Sequence, residues 1–323
     1  MTLRLLTGAL DTALDRAVVP GYSRIGYWVR RPMWEADDPR PGSMTGRTAV
    51  VTGGGSGLGR ATAAALARLG ASVHLVVRDP GKGRAAVTDI RGEFPGAELL
   101  VHRCDVSDLS SVRSFAAALR ESVGRVDVLV HNAGAMPPDR QETVDGHEVT
   151  LATHVLGPLL MTELLRPLLA AARQSRVVVV SSGGMYARKL AADDPEYAGG
   201  TYSGTAAYAR TKRMQVALTP LMQERWAADG IAVHAMHPGW ADTPGLAASL
   251  PGFHKLVRPL LRDAETGADT IVWLAATAPA PGGGRFWHDR ATRPEHYLRS
   301  TRPSDADLHR LWTYVLAATG LEP

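Results

Sequence analysis

A glycine-rich turn is the first part of the chain whose residues could do chemistry. Residues 52–59 read Thr-Gly-Gly-Gly-Ser-Gly-Leu-Gly, between a short apolar run and an alanine-rich segment. Gly53, Gly57 and Gly59 would let the backbone approach a pyrophosphate, and a helix that begins there would add its first amides and its dipole. The turn lacks the G-x-G-x-x-G spacing. A tight turn that binds no ligand is the structural alternative.

An arginine and an aspartate stand at the end of the second apolar run, about twenty residues further on. A carboxylate at this place binds the ribose 2′-hydroxyl of NAD, whereas an arginine accommodates the 2′-phosphate of NADP. Arg78 precedes Asp79, and a guanidinium can pair with phosphate through two hydrogen bonds. The order of the two residues favours NADP, with NAD as the alternative that Asp79 leaves open.

Further short motifs follow the later apolar runs in a fixed order. They are Asp105-Val106, Asn132-Ala133-Gly134, Ser181-Ser182, Tyr208 to Lys212 as Tyr-Ala-Arg-Thr-Lys, and Pro238-Gly239. Together with the glycine turn, this succession resembles the short-chain dehydrogenase/reductase family over roughly residues 47–290. Segments 181–185, 237–245 and 251–254 are similar to the retinol-dehydrogenase-like branch, and most closely to its dehydrogenase/reductase member 12 type.

The resemblance implies the roles of the catalytic residues. Tyr208 would be the general acid in reduction and the general base in oxidation. Lys212 would lie on the same helix face, lower the tyrosine pKa from about 10, and bind the nicotinamide ribose. Ser182 would hydrogen-bond the substrate oxygen as negative charge develops on it. The structural alternatives are a strand end for the serines and a half-buried helix aromatic for Tyr208.

The resemblance also implies cofactor contacts at the strand ends. Asp105 would contact the adenine unless it only caps the next helix. Pro238, Gly239 and Thr243 would contact the nicotinamide end. The expected cofactor-binding residues are Gly53, Gly55, Ser56, Gly57, Leu58, Gly59, Arg78, Asp105, Val106, Asn132, Ala133, Gly134, Tyr208, Lys212, Pro238, Gly239 and Thr243.

One position departs from the family pattern. Family members carry an asparagine whose backbone carbonyl holds a water that links the lysine to solvent, and His154 stands at that position. Because an imidazole can relay protons near neutral pH, His154 is a candidate catalytic residue and turnover should persist, slowed or with a shifted pH profile. The alternatives are a histidine that only fills space, and an NADP-binding regulatory or scaffold protein whose catalysis is vestigial.

The elements that must position these residues follow a repeated pattern of strand, turn and helix. Short apolar runs at 48–52, 73–77, 99–102, 126–130, 176–180 and 231–236 are typical of buried parallel strands. They alternate with helix-like segments such as 58–69. We therefore predict a single α/β domain of Rossmann type. It is a doubly wound parallel sheet with helices on both faces, and ligands bind at the carboxyl ends of the strands.

Residues 1–46 differ in character and are interpreted as an extension of a catalytic domain at 47–323. An amphipathic helix is expected up to Pro20-Gly21, and residues 38–42 form a linker. The apolar residues that recur at helical spacing in this expected helix are Leu3, Leu6, Leu10, Leu14 and Ala17. The aromatic and arginine residues at 22–34 suit packing against the body or a sister subunit, with peripheral membrane contact through residues 1–34 as the alternative.

Residues 243–262 are predicted to form a substrate lid. The segment begins with a proline at 244 and carries several apolar side chains with few charges. Such a lid suits a small lipophilic alcohol, aldehyde or ketone, although the same stripe would also suit core or subunit contact.

Composition excludes several other classes of protein. The net charge is +4 and no basic run is interleaved with aromatic residues, so no nucleic-acid partner is expected. The single cysteine, Cys104, cannot form an internal disulfide, which favours the cytoplasm, and no histidine spacing suggests a metal site. The family resemblance implies a homodimer or tetramer paired through the fourth and fifth helices. The apolar run at 156–169 would suit such an interface, but it would equally suit the core of a single chain.

Overall fold

Eight strands form one sheet in the order β3-β2-β1-β4-β5-β6-β7-β8. The computed structural model describes residues 2–322, with side chains from residue 8 onward, so Leu3 and Leu6 lie outside the described side chains. The first seven strands are parallel and β8 is antiparallel to β7. The strands are β1 Thr48–Thr52, β2 Ser72–Val77, β3 Leu99–Arg103, β4 Val128–His131, β5 Arg176–Val180, β6 Ala232–Met236, β7 Arg285–His288 and β8 Ala291–Thr292.

Thirteen α-helical segments accompany the sheet in the described part of the chain. They are α1 Thr2–Arg16, α2 Val18–Tyr22, α3 Arg24–Arg30, α4 Gly57–Arg68, α5 Pro80–Glu93, α6 Leu109–Ser122, α7 Val149–Leu151, α8 Gly157–Ala170, α9 Gly204–Trp226, α10 Pro244–Ser249, α11 Pro251–Val257, α12 Ala264–Ala276 and α13 Asp305–Thr319. A π-helical segment, Ala152–Leu156, joins α7 to α8.

The core lies on both faces of the sheet, as expected for buried parallel strands. Apolar side chains of α6, α8, α9 and α13 cover one face, and those of α4, α5 and α12 cover the other. The predicted doubly wound α/β domain is therefore confirmed. Because β2 and β4 flank β1, the direction of winding reverses between β1 and β4. A crevice lies at the carboxyl ends of these two strands, and ligands of such folds bind there.

The run at 156–169 is core within the chain. Its leucines are almost all buried, and Leu165, Leu168 and Leu169 share one cluster with Leu311 and Val315 of α13. The C-terminal helix thus covers part of the α8 and α9 face. The predicted homo-oligomer stays a prediction.

The N-terminal extension packs against the body of the protein. Tyr22 is 2% and Arg30 1% exposed. Pro20-Gly21 does not end the first helix as predicted: the helix breaks at Ala17, and Pro20 lies inside the first turn of α2, where its missing N–H costs nothing.

The linker predicted at 38–42 is anchored to the body. The Asp38 carboxylate accepts hydrogen bonds from the Trp273 indole and from the Thr277 hydroxyl, at 2.5 Å and 2.9 Å. On the outer face of the extension, Val18, Val19, Ile25 and Trp28 remain exposed, so peripheral membrane contact stays a prediction. Within residues 2–322, every helix is too short or too polar to cross a bilayer.

Candidate active site

The glycine turn and the loop after β4 are held together at the crevice. The Thr52 hydroxyl accepts hydrogen bonds from the backbone N–H groups of Asn132 and Ala133, at 3.0 Å and 3.1 Å. The Asn132 amide donates to the Thr52 carbonyl at 3.0 Å. Gly53 has a φ of +68°, and a Cβ on Gly59 would lie 2.2 Å from the Gly53 carbonyl oxygen. Both positions therefore require glycine.

The same turn provides a site that fits a pyrophosphate. Ser56 precedes α4 and its side chain makes no capping hydrogen bond, so it leaves the first amides of the helix available. Gly57 faces Thr243, since a Cβ there would lie 3.5 Å from the Thr243 side chain. Gly55 lies against Val77, whereas the Leu58 side chain reaches Gly267 of α12. The expected residues of this turn are therefore brought together with Thr243 at one edge of the sheet.

Arg78 and Asp79 have different environments after β2. The Asp79 carboxylate caps α5 and accepts hydrogen bonds from the backbone N–H groups of Gly81 and Lys82. Arg78 is exposed. One oxygen of the exposed Asp79 carboxylate is thus used by the cap, while the Arg78 guanidinium is accessible at the strand end where a ribose substituent would lie.

Asp105 does not cap the helix that follows it. Its Oδ1 accepts hydrogen bonds from the backbone and hydroxyl of Ser107, at 3.0 Å and 2.7 Å, and α6 is capped by Asp108. The Val106 side chain is 8% exposed and belongs to the core. Any cofactor contact at Val106 would therefore come from its backbone.

Lys212 lies at the carboxyl end of β5, one helical turn from Tyr208 on α9. Its ammonium donates a hydrogen bond to the Val180 carbonyl at 2.8 Å and lies 5.3 Å from the centre of the Tyr208 ring. The Ser181 hydroxyl donates to the Lys212 carbonyl at 2.9 Å, which fixes the helix to the strand end. Burial lowers the pKa of Lys212 to about 7.

Ser182 and Tyr208 form the part of the site that faces the crevice. The Ser182 hydroxyl accepts a hydrogen bond from the Gly184 N–H at 3.3 Å, at the start of a short 3₁₀ turn. Burial raises the pKa of Tyr208, and the nearby Ser182 hydroxyl acts in the opposite direction. The lowered tyrosine pKa expected from Lys212 is therefore not found, because desolvation of the phenol outweighs its polar neighbours.

His154 is fully engaged inside the π-helical segment. Its Nε2 accepts the Ala135 N–H at 3.1 Å, so the proton lies on Nδ1, which donates to the Thr211 hydroxyl at 2.8 Å. Its ring packs edge-on to Tyr208 with the centres 5.3 Å apart. Burial and the charge of Lys212 hold the pKa of His154 well below its usual 6.5. The imidazole is neutral with both nitrogens used, and the proton relay expected from it is not supported.

Gln215 is a site residue that the sequence interpretation missed. Its side-chain amide donates to the His154 carbonyl at 2.8 Å, the group at which the family pattern places a water. Gln215 lies on α9 three residues after Lys212, and no local pattern marks it. Because the acceptor is a backbone carbonyl, the identity of residue 154 gives no signal for Gln215 either.

The loop after β6 is where the nicotinamide contacts of Pro238, Gly239 and Thr243 are predicted. Gly239 has a φ of +76°, and a Cβ on it would lie 2.6 Å from both the Arg262 guanidinium and the Tyr22 carbonyl oxygen. Thr243 caps α10. The Ser249 hydroxyl donates to the Met136 carbonyl at 3.3 Å, so the predicted lid spans the crevice to the loop after β4.

Comparisons with known proteins agree with this arrangement. A short chain dehydrogenase model matches residues 47–251. Dehydrogenase/reductase SDR family member 12 of Bos taurus is 40% identical over 90% of this chain and 91% of its own length. Human retinol dehydrogenase 13 is 37% identical over 88% of both chains.

A solved structure adds a bound nucleotide to the comparison. A metagenomic short-chain oxidoreductase in complex with NADP is 26% identical and superposes with a TM-score of 0.55 over 74% of this chain and 95% of that chain. The fold, the strand-end motifs and these similarities agree with one another. The chain belongs to the short-chain dehydrogenase/reductase family, in its retinol-dehydrogenase-like branch, and is an NAD(P)-dependent dehydrogenase or reductase.

Proposed function

We propose that this protein is an NADP-dependent oxidoreductase that transfers a hydride between the nicotinamide and a lipophilic alcohol or carbonyl compound. The observation that carries the proposal is the meeting of Ser182, Tyr208 and Lys212 at the carboxyl end of β5, beside the glycine turn. NADPH, when bound, supplies the hydride. The protein's own residues hold the substrate oxygen and move its proton.

Tyr208 is the proton donor in reduction and the acceptor in oxidation. Since burial raises its pKa, the phenol is protonated at neutral pH, which favours its use as an acid and hence carbonyl reduction. The Ser182 hydroxyl lies next to the phenol and can donate a hydrogen bond to the same carbonyl oxygen. Lys212 is held by the Val180 carbonyl, and its ammonium would bind the nicotinamide ribose when the cofactor is present.

Two observations support NADP over NAD. Asp79 has one oxygen committed to the helix cap, and Arg78 is exposed where a 2′-phosphate would lie. The NADP complex of the metagenomic relative is consistent with this preference.

The lid supports a lipophilic substrate. Leu246 and Leu250 are half-buried over the crevice, and Phe253 packs edge-on to Trp240 with ring centres 5.6 Å apart. The similarity to a retinol dehydrogenase agrees with a substrate of this class. Apolar side chains at the rim favour apolar substrates, because the transfer of apolar surface out of water lowers the free energy of binding.

The test is NADPH oxidation by the purified protein with a panel of lipophilic aldehydes and ketones. We expect turnover that falls by at least about a thousandfold in Tyr208→Phe, because the proton donor is lost while the ring remains. Binding of NADPH, followed by its fluorescence, should be unchanged in the variant. Equal turnover in the two proteins would contradict the role of Tyr208.

The alternative is an NADP-binding regulatory or scaffold protein. The observation that favours it is the His154 carbonyl, which accepts a hydrogen bond from Gln215 where the family pattern places a water. Tight NADPH binding without turnover, in both the wild type and His154→Asn, would support this function. Turnover that depends on Tyr208 would exclude it.

A further inference from the structure

Tyr22 of the N-terminal extension lies beneath the two loops that carry the candidate active site. Its side chain is 2% exposed. One loop follows β5 and contains Ser182, and the other follows β6 and contains Pro238 and Gly239. A residue outside the catalytic domain thus reaches the centre of the site.

The ring of Tyr22 supports the Ser182 loop directly. A Cβ on Gly183 would lie 2.9 Å from Cε2 of the ring, closer than a methyl group tolerates. Gly183 opens the 3₁₀ turn whose Gly184 N–H donates to the Ser182 hydroxyl. Because an aromatic ring cannot yield as a flexible side chain can, the position of this turn depends on the ring.

The same residue supports the loop after β6 with both its ring and its backbone. The ring packs edge-on to His237, with the centres 4.5 Å apart, and His237 in turn stacks on His288 at 3.8 Å. The Tyr22 carbonyl accepts the Trp240 N–H at 2.7 Å. Gly239 is confined between this carbonyl and Arg262.

Buried charges hold Tyr22 in this position. The carbonyls on either side, those of Gly21 and Ser23, accept hydrogen bonds from the Arg262 guanidinium at 3.3 Å and 3.2 Å. Arg262 and Arg30 both pair with the Asp289 carboxylate, and all three side chains are 1% exposed. The extension is therefore a fixed part of the site and not a loose arm.

The Tyr22 hydroxyl contributes little to this support. It is buried and forms no hydrogen bond of ordinary geometry within the described part of the chain. Burial of an unpartnered hydroxyl is unfavourable, so its removal should not destabilise the protein. The ring and not the hydroxyl is the functional part of the residue.

We propose that Tyr22 is a positioning residue of this enzyme, whose ring holds the Ser182 loop and the Pro238-Gly239 loop in their reactive geometry. The proposal rests on the function proposed above for Ser182 and Tyr208. It assigns the extension a role in the chemistry, exerted through Gly183 and His237.

The experiment compares Tyr22→Leu with two controls in the same extension. Tyr22→Phe keeps the ring. Tyr27→Leu removes a buried ring that packs on Trp28 and Trp34 and lies 5.7 Å from the Arg262 guanidinium, but that has no ring contact with His237 or His288. We expect kcat to fall about tenfold in Tyr22→Leu, because small displacements of reacting groups are costly, and to stay within about twofold in both controls. The KM for NADPH should change less than kcat.

The pH profile separates positioning from general loss of stability. Ser182 lowers the pKa of Tyr208, so a displaced Ser182 loop should move the Tyr208-controlled limb of the oxidation reaction to higher pH in Tyr22→Leu. Gly183→Ala places a methyl group against the Tyr22 ring from the Ser182 loop, and it should move the oxidation limb to higher pH in the same way. An unchanged profile and kcat in Tyr22→Leu, or equal losses in Tyr22→Leu and Tyr27→Leu, would overturn the proposal.

Hydrogen exchange tests the proposal without reference to activity. Peptides covering residues 181–187 and 237–240 should exchange faster in Tyr22→Leu than in Tyr27→Leu and Tyr22→Phe. If the wild type shows no turnover but these peptides respond as expected, the proposed reaction fails and the positioning role stands. If Tyr208-dependent turnover is present and exchange in both peptides is unchanged, the positioning role fails alone.

Discussion

Lys212, the proposed catalytic lysine, carries a buried ammonium group that is unfavourable for the stability of the fold. It is 3% exposed and donates one hydrogen bond, to Val180. Its pKa is lowered to about 7 in the folded protein, against the usual 10.5 in an unfolded chain. The folded state therefore binds the proton more weakly, and the penalty is complete below about pH 7 and fades as the pH rises toward 10.5.

We predict that Lys212→Met raises the thermal midpoint of the unliganded protein while it abolishes turnover. The gain should be largest at pH 6 and should shrink by pH 9, because the wild-type lysine loses its charge in that interval. Calorimetry at the two pH values measures it, with the exposed Lys82→Met as the control. A gain that grows between pH 6 and pH 9 would contradict the interpretation.

At the scale of single residues, spacing in the sequence predicted which side chains share a helix face, but not how deeply they are buried or what they contact. The spacing of Tyr208 and Lys212 placed both on one helix face, as found on α9. The raised pKa of Tyr208 could not be predicted, since it depends on burial by other elements. The engagement of His154 likewise depends on Ala135 and Thr211, which lie on different segments of the chain.

The turn between β2 and α5 is the element that should select the cofactor. Arg78 is exposed and Asp79 caps the helix. We predict that Arg78→Ala raises the KM for NADPH about 10- to 100-fold and leaves the KM for NADH within about twofold, because a charge-assisted contact with the 2′-phosphate is lost. Steady-state kinetics with both cofactors measures the ratio.

A matched control for this prediction lies at the far end of α4. Arg68 is exposed and belongs to the last turn of that helix, away from the strand ends. Arg68→Ala should change neither KM. An equal rise in the KM values for NADPH and NADH in Arg78→Ala would assign the arginine to the shared part of the cofactor and leave the preference unexplained.

Strands with clear apolar runs were the most predictable elements. β1 and β5 have the predicted bounds, because four of the five residues in each are β-branched and Gly or Ser follows at once. β4 begins two residues later than expected, since Val126 precedes the paired segment. β7 and β8 were missed because they are short and contain Arg285, His288 and Thr292, so β7 depends on its pairing with β6 and β8 on its pairing with β7.

At the scale of the whole molecule, buried ion pairs join the extension to the last strands of the sheet. Arg30 pairs with Asp289 at 2.8 Å and with Asp11 at 2.6 Å. We predict that Arg30→Met lowers the free energy of unfolding by about 3 kcal/mol, because it leaves the buried Asp289 and the half-buried Asp11 with fewer partners. Urea denaturation measures the loss.

The control for Arg30 lies on the same helix. Arg24 is exposed, and Arg24→Met should change the free energy of unfolding by less than about 0.5 kcal/mol. Similar losses in the two variants would show that the helix, and not the buried pair, is what stabilises the extension. The location of Arg30 in the core could not be predicted, because its partners are far away in the sequence.

The ion pair between Arg30 and Asp289 also sets an order of events during synthesis. The two residues are 259 positions apart in the chain. At about 5–20 residues per second on the ribosome, the extension waits roughly 10–50 s before its partner is made. Throughout that interval Tyr22 and Arg30 have no folded surface to cover them. The extension is thus among the last segments to reach its folded position, although it is synthesised well before the strands that cover it.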